Sequence, residues 1–147
     1  MAGFRKYAPI TEADAIIEGT ISGIAVTKGD LLESLTGATT WTACTSGSLV
    51  QTPKAIALET KTASDTTIRL LLVDTVNLYV GETGSDSAVA DNGDNMVLTD
   101  TNTINNTGID SIAKEAVVKQ LRPIGAAATK EIVFKFNGLF GNVVTFA

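Results

Sequence analysis

Histidine is absent from this 147-residue chain, and cysteine occurs once. Without them no His-based triad, histidine metal cage or cysteine-paired zinc site can be assembled. Aromatic residues make up only 5% of the sequence, with one Trp and two Tyr, and charged residues only 18%. A surface so poor in charge is built mostly from hydroxyls, amides and small apolar groups, which suits contact with other protein. Eleven Lys and Arg stand against sixteen Asp and Glu, a net charge of −5, and no basic cluster extends beyond Arg5-Lys6. That balance repels a phosphate backbone, so nucleic acid is not an expected partner. No apolar run reaches the ~18–20 residues of a membrane-spanning helix, and the first residues lack the hydrophobic stretch of a signal peptide. Synthesis and assembly in a cytoplasm, with no membrane partner, are expected. Cys44 has no second cysteine to pair with and reads as a small strand residue, so stability must come from burial and strand pairing.

What the chain does contain is β grammar. With 44% hydrophobic residues, it has enough apolar material for a core of its own. Residues 1–17 mix Phe4, Arg5, Lys6, Tyr7, Pro9, Glu12 and Asp14 without a period of 2 or 3.6, and read as an N-terminal arm. From residue 18 onward, short β-prone runs alternate with turn residues: 19–26, 31–35, 39–43, 54–58 and 67–73, separated by turns at 27–30, 36–38 and 45–48. This spacing predicts a small β-barrel or sandwich lobe over residues 18–80. Residues 81–95 are rich in Gly, Ser and Asp and read as a linker or long loop. Beyond it, strands over 96–98, 131–136 and 142–146 predict a second β-rich lobe spanning 81–147, or a continuation of one domain. Ile132, Phe134 and Phe136 alternate with Glu131, Val133 and Lys135, which puts three apolar groups on one sheet face. Residues 109–121 read as a strand rather than a short helix, because Val117-Val118 is β-branched and Arg122-Pro123 breaks a helix.

Candidate sites are few. The arm residues Phe4, Arg5, Lys6, Tyr7 and Pro9 offer aromatic anchors beside two cations, a combination suited to an acidic protein surface. Trp41 is either an interface anchor or a core residue. Asp91, Asp94 and Asn95 supply oxygen ligands but lack EF-hand spacing, so no metal and no cofactor are expected, and Asn92-Gly93 and Asp100 read as turn residues. The tripeptide Lys28-Gly29-Asp30 reads as a turn between strands. Glu59, Asp65 and Asp74 are the carboxylates an enzyme would need, but they are scattered over turns and β segments, so no catalytic residue is assigned.

Two stretches resemble the head decoration, or cement, proteins of tailed bacteriophages. The first runs from Ile21 through Lys28-Gly29-Asp30 to Leu32, followed by Ala55-Ile56-Ala57-Leu58-Glu59, with Ala55 at a step where the family pattern has Gly. The second runs from Asp91 through Leu98-Thr99-Asp100 to Asn106, followed by Lys130 to Asn137. This resemblance implies a non-enzymatic, β-tulip-like structural virion protein that binds the outer surface of the expanded icosahedral capsid. Its implied partners are the major capsid protein and further copies of itself, commonly as a homotrimer. The alternatives are a host-surface or glycan-binding β-module, and a tail-tube or head–tail joining subunit. In the capsid reading, deleting residues 2–15 is expected to weaken attachment more than it lowers the melting temperature.

Overall fold

The structure, a computed structural model, describes residues 3–35, 37–109, 116–124 and 129–138. Its regular elements are strands β1 (Arg5–Lys6), β2 (Ile16–Thr20), β3 (Leu31–Ser34), β4 (Trp41–Ala43), β5 (Lys54–Ala57), β6 (Thr67–Leu72), β7 (Tyr79–Ser87), β8 (Asn95–Leu98), β9 (Thr103–Ile109), β10 (Val118–Pro123) and β11 (Thr129–Phe136), with one 3-10 turn at Val89–Asp91. The expected β-rich architecture is observed, as a closed five-stranded barrel plus an additional sheet. β2 to β6 form an antiparallel sheet in the order β2-β6-β5-β3-β4. The later strands form the barrel in the order β7-β11-β10-β8-β9, closed by a parallel pairing of β9 with β7 at Glu82↔Thr103 and Thr83↔Ile104. Register shifts between Gln120 and Arg122, between Thr129 and Glu131, and between Met96 and Val97 supply the bends a barrel this narrow needs.

The five-stranded sheet is apolar on both faces, which explains its non-alternating runs. Leu31, Ile56 and Leu71 point toward the barrel and join Tyr79, Met96, Ile104, Phe134 and Phe136 in one core cluster. Their chain neighbours Leu32, Ala55, Ala57 and Leu70 point the other way, into a second cluster with Ile21, Val26 and Ile68. The main core is bound by aromatic contacts: Phe134 and Phe136 meet edge to face at 4.9 Å, and Tyr79 and Phe136 at 5.0 Å. In β11, Ile132, Phe134 and Phe136 enter this core as their alternation predicts, while Val133 stays outside the cluster.

Two expectations need correction. Residues 81–95 are not simply a linker: β7 occupies 79–87 and is a strand of the barrel, paired with β11 along one edge and with β1 and then β9 along the other. Its polar composition is compatible with burial because the inward positions are small or bonded to backbone. A Cβ at Gly81 would come within 3.0 Å of Ile104, Phe134 and Phe4, and the buried Thr83 donates its Oγ1 hydrogen to backbone oxygens of Ser85 and Lys130 at 2.7 and 3.0 Å. The N-terminal arm is extended, yet it lies against the body: β1 pairs with β7 through Arg5↔Val80 and Lys6↔Tyr79. Val118–Pro123 is a strand, as its β-branched start suggested, and of the 109–121 run that also admitted a helix, residues 110–115 lie outside the described residues.

Candidate functional site

The N-terminal segment, the turn at residues 27–30 and the loop at residues 99–102 meet at one junction. The Phe4 N–H donates to Gly29 O at 2.7 Å, and the Gly3 N–H to Asn102 O at 3.1 Å. Leu31 N–H donates to Thr101 O at 2.7 Å, and Thr101 Oγ1 returns a bond to Leu31 O at 2.7 Å. The Lys28-Gly29-Asp30 tripeptide is the turn that was expected. Gly29 holds φ +97, and Asp30 Oδ2 accepts the Thr27 N–H at 2.9 Å. Burial raises the Asp30 carboxyl above its ordinary pKa, and bonds from the Thr27 N–H and the Asn102 side chain oppose the shift. Asp100 caps its own turn by accepting the Asn102 N–H, again as expected. The two stretches that carry the family resemblance, far apart in the chain, therefore touch at Leu31 and Thr101.

The arm residues separate into different roles. Phe4 is 3% exposed and packs edge to face on Phe134 at 5.8 Å, so its expected place as a partner-binding anchor is corrected: the ring is a core plug of its own chain. Arg5 pairs with Glu131 at 3.0 Å in an exposed setting, and Lys6 with Asp14 at 2.8 Å in a nearly buried one. The bond from Lys6, aided by the Thr11 N–H, holds the Asp14 carboxyl below the usual range. Tyr7 is half-exposed. Its hydroxyl accepts from Arg122 at 2.7 Å, and the same guanidinium lies 5.6 Å from the ring centroid. Pro9 is exposed. The structure thus leaves Tyr7 and Pro9 accessible and commits both arm cations to intrachain pairs.

Beside this arm opens an apolar cleft of about 500 Å³. Ile56, Leu58 and Leu71 line its floor, the half-exposed Ile10 forms a lip, and Arg5, Lys6 and Lys28 stand on its rim. Among the described residues, no carboxylate lines it. No local pattern hints at this cleft, because its walls come from four separate segments.

A second cleft, of about 420 Å³, is lined by Lys54, Val73, Asp74, Val117, Phe136 and Asn137. Behind it lies a buried polar cluster that pattern analysis missed. Glu33 accepts from Ser48 Oγ at 2.6 Å and from Thr52 Oγ1 at 2.8 Å, with Lys54 Nζ 3.7 Å away. Lys54 also donates to Thr52 O at 2.8 Å, to Leu49 O and to Thr52 Oγ1. Burial lowers the Lys54 pKa, with Glu33 among the groups that oppose the shift, and burial pushes the neighbouring Cys44 thiol up to about 12. Every acceptor around Lys54 belongs to the loop at residues 49–52 or to Glu33, so the cluster pins that loop. The one available signal was Lys54 opening a strand that is otherwise Ala-Ile-Ala.

Trp41 is partly buried against the second core cluster. The scattered carboxylates act locally: Glu59 accepts the Arg69 N–H and pairs with Lys61 at 3.4 Å, Asp65 accepts the Thr62 N–H, and Asp74 the N–H groups of Val76 and Asn77. Asp91 accepts the Ala88 N–H at the start of the 3-10 turn. Among the described residues, no group of three His, Cys, Asp or Glu side chains is placed to hold a metal ion. No protein-family model, curated protein or solved structure matches this chain.

Proposed function

We propose that this chain is a structural, non-enzymatic subunit of a tailed-bacteriophage head, binding the outer surface of the expanded capsid as a decoration protein. The observation that carries this reading is the junction at Leu31 and Thr101. Two motif stretches resembling that family are joined there by a reciprocal pair of hydrogen bonds, in a fold that has the expected β architecture. The proposed partners are the major capsid protein and further copies of the chain, grouped as a trimer on the virion surface.

A clamp that touches several capsid subunits only in their expanded arrangement adds buried area to that state alone. Mass action then stabilises it against internal pressure, and no catalysis is required. Tyr7 and Pro9, the accessible members of the arm, are the capsid contacts in this reading.

Co-sedimentation with expanded heads lacking this protein, with unexpanded proheads as the control, tests it. Saturable binding to expanded heads alone is expected. Absence of binding to either particle overturns the reading in favour of a host-surface module or a tail component.

A further inference from the structure

The cleft beside the arm combines an apolar floor with a rim of three cations, Arg5, Lys6 and Lys28, on a chain whose net charge is −5. Arg5 and Lys6 have intrachain acidic partners, whereas exposed Lys28 forms no ion pair with a described residue. A ligand complementary to this cleft presents a small apolar group flanked by carboxylates.

The chain itself displays such a group. The 3-10 turn at Val89–Asp91 projects Ala88, Val89 and Ala90, all exposed, and Val89 at 73% is among the most exposed large hydrophobic side chains. Asp86 and Asp91 bracket this tripeptide, and Asp94 follows. The turn is firmly mounted: Gln120 Nε2 donates to Ala88 O at 2.8 Å and to Asn92 Oδ1 at 3.1 Å, and the Gly93 N–H donates to Gln120 O at 2.8 Å. A preformed knob loses little conformational entropy on docking.

Knob and cleft cannot meet within one molecule. The cleft adjoins β1, which pairs with β7 at Tyr79 and Val80, whereas the knob follows Ser87 at the other end of the same strand. Because β7 bulges between Glu82 and Ser87, these ends lie opposite Phe134 and Thr129 of β11, five residue steps or roughly 17 Å apart. We infer that the Ala88-Val89-Ala90 knob of one copy seats in the Ile10–Leu71 cleft of the next, with Asp86 and Asp91 facing Lys28 on its rim. Because the two surfaces differ, the contact is head-to-tail, and it closes into a ring where the rotation between copies permits. This deepens the self-association within the proposed function and does not depend on the capsid.

The test is sedimentation velocity on the full chain over a wide concentration range, with Val89→Asp, Lys28→Glu and the swap Lys28→Glu/Asp86→Lys. The wild-type chain is expected to self-associate, less so at high salt. Each single variant should weaken association about tenfold or more while retaining its melting temperature, and the swap should recover part of the loss. Mixing Val89→Asp with Lys28→Glu leaves one intact cleft and one intact knob, so the mixture should form a dimer and nothing larger. A wild-type chain that stays monomeric, or variants that associate as it does, overturns the inference. Head binding is read separately: a monomer that coats expanded heads removes the knob-in-cleft contact and leaves the decoration reading intact, whereas a ring-former that ignores heads does the reverse.

Discussion

The indole of Trp41 lies directly on the bare Cα of Gly19: a Cβ built there would come 2.7 Å from Trp41 Cδ1 and 2.7 Å from Leu70 Cδ1. Gly19 is on β2 and Trp41 on β4, the two outermost strands of the five-stranded sheet. The sheet therefore rolls until its edges face each other, and a side chain bridges them in place of a ladder of hydrogen bonds. The second core cluster is enclosed by this roll.

Gly19→Ala should accordingly destabilise the protein by about 1–3 kcal/mol, the usual cost of overpacking, and shift the Trp41 fluorescence. Trp41→Leu in the same chain should recover part of that loss. Chemical denaturation checks both, and a Gly19→Ala protein as stable as the parent would show that the edges do not touch.

Phe4→Ala is expected to cost about 3–5 kcal/mol, as for other buried aromatic truncations, whereas Tyr7→Ala should cost less than about 1 kcal/mol. Deleting residues 2–15 should therefore lower the melting temperature sharply as well as weaken attachment. Calorimetry of the three variants decides this, and only Tyr7→Ala leaves attachment measurable apart from folding.

Cys44 makes stability depend on alkaline pH. Its thiol titrates near 12 when folded and near its ordinary value of 9.0 when unfolded, so above pH 9 the unfolded chain loses a proton that the folded one keeps. Stability should fall as pH rises through this window, by up to about 1.4 kcal/mol per pH unit. Lys54, whose pKa is lowered in the folded state, acts in the opposite direction as pH rises toward its unfolded value of 10.5. Comparing the slope of stability against pH for wild type and Cys44→Ala isolates the thiol, and equal slopes would refute its part.

Removing one partner of the buried Glu33 and Lys54 pair should cost about 3–5 kcal/mol, because the other charge is left in a dry site. Glu33→Gln/Lys54→Met should cost less than the sum of its single changes. Thermal melts of the three variants form the double-mutant cycle that checks it.

Strand periodicity makes much of this fold legible in the sequence. The alternation of Ile132, Phe134 and Phe136 appears as an inward face, and Lys28-Gly29-Asp30 and Asp100 sit in the turns their chemistry favours. Other parts were hidden because composition reports average environment rather than a single neighbour. Gly81, Thr83 and Ser87 look like loop residues until Phe4 is seen filling the space above Gly81. Phe4 looked like a free anchor because its partners, Phe134 and Phe136, lie at the far end of the chain. The cleft and the Glu33 cluster each draw on segments that only the folded chain brings together, so no local pattern announces them.

The pairing of β1 with β7, and of Arg5 with Glu131, also sets the order in which the molecule can be completed. During synthesis, Phe4 leaves the ribosome before any of β7 exists to receive it and long before the two phenylalanines it packs against. The five-stranded sheet, whose strands end at Leu72, has all its sequence in hand far earlier. The barrel must wait for β11, so contacts of high sequence separation make it the slow unit. A bulky side chain introduced at Gly3, where even a Cβ would come 3.2 Å from Gly29 O, should delay the final step of folding more than the same change would elsewhere on the surface.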